Sequence, residues 1–360
     1  MTDAFASPGG VQLVNRNIAR ALDSHPALEI EFFSLMDTGP DSRYVAASAF
    51  RGFGGGRSCF VAAVTEAFLT RGYAALLITH RNLFPAAIFW KTAVRRPYLL
   101  FAHGIEIWDR QRPWYRMALR QAQRVLTNSH FTRDRMCLAN SVPAERTEVV
   151  PLCLDEIGMP DCAISPDESG ALTLLTLGRS NSQEGYKGQD TVIRAMPQIL
   201  KSYPQARYVL AGGGDDQPRL RDLAQQLGVG SQVEFLGQVS DAERNELFRH
   251  AAIFLMPSRG EGFGVVYLEA MNYHLPCIAG NGDGGREAVR DGVNGFAVDP
   301  ASPQAVAGAV ERLLADAALR WKMGEAGFQM RQTEFSFARF STSLYKAVEQ
   351  AAAGGNFVHT

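Results

Sequence analysis

The 360-residue sequence has no long apolar run. Stretches such as Ala74–Ile78 fall far below the ~20 residues that a membrane-spanning helix needs. Cysteine is scarce: five residues (Cys59, Cys137, Cys153, Cys162, Cys277) with no C-x-x-C pair, and the seven histidines form no H-x-x-x-H. This excludes a standard structural zinc site and argues against a disulfide framework. The expectation is that the cysteines are buried small apolar residues in a reducing cytoplasm. An excess of either charge is missing too: 36 Lys+Arg stand against 37 Asp+Glu, a net charge of −1. That balance speaks against bulk nucleic-acid binding. Residues 1–10 lack a basic start followed by an apolar run, so no secretory leader is expected. There is no G-x-x-x-x-G-K-[ST] phosphate loop, no short-period repeat and no low-complexity tract.

What is present is a hydrophobic fraction of 46% on a length suited to two domains. Short β-rich runs alternate with amphipathic stretches, the signature of parallel sheets flanked by helices. The first half gives strands at Leu28–Ser34, Ala75–His80, Pro97–Ala102, Arg124–Asn128 and Glu148–Pro151. Helical spacing covers Gly10–Leu22, Ser58–Arg71, Asn82–Ala93, Arg112–Gln123 and Ser129–Leu138. Asp155–Gly170, rich in Pro, Asp, Ser and Gly, reads as a linker. The pattern restarts with strands Leu172–Leu177, Arg207–Ala211, Gln232–Leu236, Ile253–Met256 and Pro276–Ile278. The expected architecture is α/β, with two doubly wound Rossmann-like domains over residues 1–160 and 171–335. A helix within 336–352 is expected to cross back to the first. Such domains bind ligands at the carboxyl ends of their strands, so a cleft that closes about the linker is expected.

Several segments could carry chemistry. In Arg259-Gly-Glu261-Gly-Phe-Gly264-Val-Val-Tyr-Leu-Glu269 a strand ends, a glycine-rich turn follows and a helix begins near Gly264. The turn permits close backbone approach to a ligand, and the helix start offers N–H groups with the positive dipole end. An isolated pair of acids is ordinarily solvated surface; three glycines around Glu261 and an apolar helix behind it favour a site. Gly178-Arg179…Lys187-Gly188 delivers two cations around a loop before a helix, an arrangement suited to a diphosphate and also met in plain surface loops. The glycine run 212–214 resembles a dinucleotide turn but continues into Gln217 and Pro218, which breaks that pattern. His103, followed by Gly104, lies at a strand's carboxyl end, and His80 is a weaker candidate of the same kind. Gly9 and Gly10 open the first helix, where they either approach phosphate or acceptor or merely turn the chain. Seven arginines between Arg95 and Arg124 face two acids, and Arg112, Arg116 and Arg120 share one helix face beside Trp108, Trp114 and Tyr115. That face is either simply solvated or touches an anionic membrane.

Taken together, Glu261-x7-Glu269, the Gly178-Arg179…Lys187-Gly188 loop, His103-Gly104 and Gly9-Gly10 resemble the family-4 retaining glycosyltransferases over nearly the whole chain. The resemblance implies a GT-B fold with the nucleotide sugar held mainly by the second domain and the acceptor by the first. It implies Arg179 and Lys187 on the donor diphosphate, Glu261 on the hexose hydroxyls, Glu269 on the ribose and His103 beside the reacting sugar. Backbone N–H groups of Phe263 and Gly264 are implied to meet sugar and phosphate, with Gly9, Gly10, Gly178, Gly262 and Val265 completing the donor contacts. It further implies retention through same-face attack, with no metal or other cofactor required. The His103–Trp108 stretch and the Glu184-Gly-Tyr-Lys187 spacing look most like bacterial exopolysaccharide enzymes using GDP-mannose. The acceptor is then a saccharide, free or polyprenyl-diphosphate-linked, at the inner face of the membrane. A nucleotide-sugar 2-epimerase of the same fold and a non-catalytic nucleotide-sugar binder are the alternatives. A nicotinamide-dependent oxidoreductase is disfavoured by the broken glycine pattern at 212–217.

Overall fold

A computed structural model describes residues 1–7, 9–157 and 172–354. Most of the expected linker therefore lies outside the described residues, as does Cys162. The chain divides into two compact units, Met1–Met159 with Phe335–Thr360, and Pro160–Glu334.

In the first unit, β1 (Phe32–Ser34) and β2 (Phe50–Gly52) form a parallel pair. Met1 and Thr2 extend it: the Met1 amine donates to Phe33 O at 2.9 Å, and Thr2 O accepts from Met36 N at 2.8 Å. A separate parallel sheet runs β3 (Leu76–Ile78), β4 (Tyr98–Ala102), β5 (Arg124–Thr127) and β6 (Thr147–Val149) in sequential order. Every residue of β4 is buried, as expected of a parallel strand covered on both faces. The helix Phe337–Gly354 belongs to this unit and packs on the helix Gly10–Asp23. Phe340, Leu344, Ala347 and Ala351 are its buried stripe, at helical spacing. Tyr345 donates to Ala21 O at 2.7 Å, and the Arg20 guanidinium lies 4.0 Å from the centre of the Phe337 ring.

The second unit holds one six-stranded parallel sheet built from β7 (Thr173–Leu177), β8 (Arg207–Ala211), β9 (Val233–Gly237), β10 (Ile253–Met256), β11 (Cys277–Gly280) and β12 (Gly295–Val298). Their order across the sheet is β12-β11-β10-β7-β8-β9. The winding therefore reverses between β7 and β10, the switch point beside which doubly wound sheets bind ligands. The helix Gln189–Ser202 covers the sheet with Val192, Ile193, Met196 and Ile199, all fully buried. Burying each such side chain contributes ~1.5–3 kcal/mol.

Some expectations change. Only three residues of Leu28–Ser34 form a strand, and β2 and β12 were not anticipated. The helix expected from Asn82 starts at Phe84, after a 3-10 turn over Arg81–Leu83. Arg112 caps the helix Pro113–Gln121 in an extended conformation rather than lying within it, because Pro113 favours the first helical position. Arg116 is half-buried, while Arg112, Arg120 and Trp114 are exposed, Trp114 at 65%. The cysteines are not uniformly buried: Cys153 and Cys277 are, but Cys59 is exposed and Cys137 half-buried.

Candidate functional site

Two loops meet at the switch point of the second unit. The first leaves β7 as Gly178-Arg179 and returns through the 3-10 turn Ser182–Lys187. Asp215, in the turn after β8, pins it by accepting from Ser182 N at 2.7 Å and Ser182 Oγ at 2.8 Å. The glycine run serves this packing rather than a dinucleotide: a Cβ on Gly212 would stand 2.2 Å from Gly178 O, and one on Gly214 2.2 Å from Ser180 O. Within the loop, Glu184 pairs with Arg179 at 2.8 Å and Lys187 at 2.6 Å. This acid carried no assigned role in the sequence; its signal is its place between two cations, three residues before Lys187.

The second loop follows β10. Arg259 N donates to Tyr186 O at 2.7 Å, tying it to the first loop. Gly188, with φ +75°, closes the same junction, since a Cβ there would meet Pro257 O at 2.1 Å. Asp283, fully buried beyond β11, accepts from Glu261 N at 2.8 Å and from Gly285 N at 2.9 Å. It fixes the backbone of Glu261; it carries no assigned role in the sequence, where its one signal is its place before Gly284-Gly285. Gly264, with φ +85°, caps the helix Val265–Asn272, and a Cβ there would strike the Tyr267 ring at 2.5 Å. That ring is locked by Tyr267 OH donating to Met256 O at 2.6 Å. Tyr267 N already donates to Gly264 O at 3.0 Å; the N–H groups before it precede any carbonyl of the helix, which suits this end to an anion.

The electrostatics follow from burial. Burial pushes the Glu261 carboxyl up to about 7; Lys187 and, more weakly, Arg179 oppose this, while Asp283 and Glu184 reinforce it. Burial likewise raises Asp283, against the hydrogen bonds it accepts. Glu269 is raised by burial and opposed by Arg244 at 3.8 Å. The structure thus brings Gly178, Arg179, Lys187, Glu261, Gly262, Phe263, Gly264 and Val265 to one switch-point neighbourhood. Glu269 sits on the same helix but faces Arg244 and Asp241 instead.

The first unit carries His103 at the carboxyl end of β4. Its Nε2 lies 2.8 Å from Thr79 O; a carbonyl only accepts, so Nε2 carries the proton and Nδ1 keeps its lone pair. Burial lowers its pKa, with Glu106 and Thr79 opposing, so the ring is neutral near pH 7. The Glu106 carboxylate accepts from His103 N at 2.6 Å, and Asn128 donates to His103 O. His80 instead accepts from Asn82 N at 3.2 Å and caps a turn, a structural task. Gly9 caps the helix Gly10–Asp23. The turn before it is held by Asp37, which accepts from Ala4 N, Phe5 N and Ala6 N at 2.6–2.9 Å. Among the described residues no three His, Cys, Asp or Glu side chains gather as a metal site.

Comparison with known proteins agrees with this layout. The family model described as "Glycosyltransferase Family 4" matches residues 8–156, and "Glycosyl transferases group 1" matches residues 166–330. A GDP-mannose-dependent alpha-(1-6)-phosphatidylinositol monomannoside mannosyltransferase of Mycobacterium tuberculosis is 34% identical over 247 residues, covering 64% of this chain and 63% of the relative. A glycosyltransferase of Methanocaldococcus jannaschii is 40% identical over 143 residues, covering 40% of this chain and 36% of that one. The chain thus spans less than two thirds of the length of these relatives. The solved structure of Anabaena HepE in complex with UDP superposes with a TM-score of 0.76 at 21% identity, covering 97% of this chain and 98% of that one. The two family models, which meet the two structural units in turn, and the fold shared with solved glycosyltransferases agree: the chain belongs to the family-4 glycosyltransferases of GT-B fold.

Proposed function

We propose that the protein transfers mannose from GDP-mannose to a saccharide or lipid-linked saccharide, with retention and without a metal, in bacterial exopolysaccharide assembly. The observation that carries this reading is the convergence of two cations, Arg179 and Lys187, with Glu261 and a helix start at one switch point. The mannosyltransferase relative, whose printed name gives GDP-mannose as donor and a phosphatidylinositol mannoside as acceptor, supports both the sugar and a lipid-linked acceptor.

Departure of a nucleoside diphosphate builds negative charge on phosphate and positive charge on the anomeric carbon. Arg179, Lys187 and the N–H groups at the start of Val265–Asn272 stabilise the first, a contribution that grows as the bond breaks. Glu261 takes up the hexose hydroxyls and, with its raised pKa, can donate as well as accept near pH 7. Glu269 holds the ribose. His103, neutral and fixed by Thr79, offers its Nδ1 to the reacting sugar. The leaving phosphate accepts the acceptor proton in same-face attack. The exposed Arg112, Arg120 and Trp114 support peripheral attachment at the inner face of an anionic membrane, where a lipid-linked acceptor resides.

Slow donor hydrolysis needs no acceptor, so a panel of GDP- and UDP-sugars tests the reading. GDP-mannose should be consumed fastest, EDTA should leave the rate unchanged, and the first mannose released should keep the donor's anomeric configuration by proton NMR. Consumption of UDP-glucose with GDP-mannose untouched would overturn the donor, and release of the opposite anomer would overturn retention.

A further inference from the structure

An acid stands between the two cations of the β7 loop. Glu184 Oε1 lies 2.8 Å from the Arg179 guanidinium, and Oε2 lies 2.6 Å from Lys187 Nζ. The loop fixes that carboxylate from several sides: Glu184 N donates to Asn181 O at 2.8 Å, and Asn181 Nδ2 reaches Oε1 at 3.4 Å. Asp215 anchors the neighbouring Ser182 twice. The side chains of Lys187 and Glu184 are 12% and 14% exposed, whereas that of Arg179 is 72% exposed. An ammonium withdrawn to that degree is costly to leave unpaired, so Lys187 requires an anion whenever no ligand is bound. Arg179 has no such need; its pairing sets direction rather than solvation.

We propose that Glu184 is the resident counter-ion of the diphosphate site. It holds Arg179 and Lys187 in place between turnovers, and its charge weakens the grip on the departing nucleoside diphosphate. The proposal rests on the donor reading above. An ammonium has three donors and a guanidinium five, so one carboxylate orients both groups and leaves donors for phosphate oxygens. Donor and product both carry the diphosphate, so cations alone would retain the product as firmly as they gather the donor. A fixed negative charge at contact range lowers both affinities and favours release. Glu261 also feels both cations, and Asp283 beside it is spent on backbone N–H groups. Glu184 is the acid in direct contact with both.

The test is calorimetry with GDP and UDP on the full chain, paired with steady-state kinetics. Glu184→Gln keeps the length and one acceptor while removing the charge. It should bind the nucleoside diphosphate roughly 3- to 30-fold tighter, less so at high salt. The donor KM and kcat should fall together as release slows. Glu184→Asp retains the charge and should stay within ~3-fold of wild type. A merely structural role gives weaker binding or none in both variants, and either that or an unchanged affinity in Glu184→Gln overturns the proposal. Arg179→Ala and Lys187→Ala separate the two levels. If they weaken binding while Glu184→Gln fails to tighten it, only the counter-ion idea falls. If neither weakens binding, the donor reading falls and this proposal with it.

Discussion

Replacing Glu261 with glutamine should make the second unit more stable at pH 8 and change it far less at pH 5. In the folded protein burial holds this carboxyl at about 7, against 4.5 for an ordinary glutamate. Below 4.5 the folded and unfolded chains both keep the proton, and ionisation adds nothing to the balance. As pH rises from 4.5 to 7 the unfolded chain releases it while the folded chain retains it, so stability is lost throughout that window. Above 7 the folded chain carries the half-buried charge of Glu261, at a cost of ~3 kcal/mol for a displacement of this size. Glutamine cannot ionise and escapes that cost, while Glu261 N still donates to Asp283. Hydrogen exchange in β10, a buried strand of the central sheet, reads the stability of this unit without requiring the whole chain to unfold in one step. In Glu261→Gln those amides should exchange ~100-fold more slowly than wild type at pH 8, and most of that difference should be gone at pH 5. Equal exchange at pH 8, or a gain undiminished at pH 5, would refute the reasoning. The same variant should lose activity, so the acid would be retained at the expense of the fold.

Glu261→Ala should leave nucleoside diphosphate affinity near wild type while lowering kcat/KM roughly 10- to 150-fold, the cost of one charged hydrogen bond at a reacting centre. Lys187→Ala should weaken the diphosphate itself, and calorimetry showing equal losses in the two variants would reverse the roles of these residues. Gly188→Ala places a Cβ 2.1 Å from Pro257 O at φ +75°; it should destabilise the second unit by ~2–4 kcal/mol, and an unchanged denaturation midpoint would contradict the close junction of the two loops. Removing Arg112 and Arg120 together should weaken binding to anionic vesicles by ~1 kcal/mol per residue, and binding indifferent to both salt and substitution would remove the membrane from the proposal.

The second unit was the more legible half. Arg207–Ala211 and Ile253–Met256 read as strands residue for residue because parallel strands covered on both faces run apolar without alternation. β12 escaped because its four residues follow Asp-Gly-Val-Asn, which reads as turn alone. Leu28–Ser34 departs from its pattern for the opposite reason: its apolar residues run longer than β2, the three-residue partner that pairs with it. Among the site residues, those on glycine-marked turns were visible, since a glycine beside a strand end announces close approach. Asp37, Asp283 and Glu184 were not. Asp37 serves backbone N–H groups more than thirty residues away and Asp283 one that is 22 residues away. Glu184 acts within its own loop, yet its spacing fits an ordinary surface ion pair equally well. Only folding shows which acids are anchors.

The chain leaves the first unit before Pro160 and re-enters it at Phe335, so the second unit is an insertion within the first. On a ribosome this sets an order of events. The helix Gly10–Asp23 emerges before the inserted unit, but the helix Phe337–Gly354 that packs on it emerges only after that unit. At ~5–20 residues per second, synthesis of Pro160–Glu334 alone adds on the order of ten to thirty seconds to the wait of the apolar face between these two helices. The inserted unit, whose strands are contiguous in sequence, can complete its sheet during that interval. The first unit closes only when the helix Phe337–Gly354 arrives, so a chain stalled or cut short of Phe337 would present an unfinished surface to chaperones and proteases.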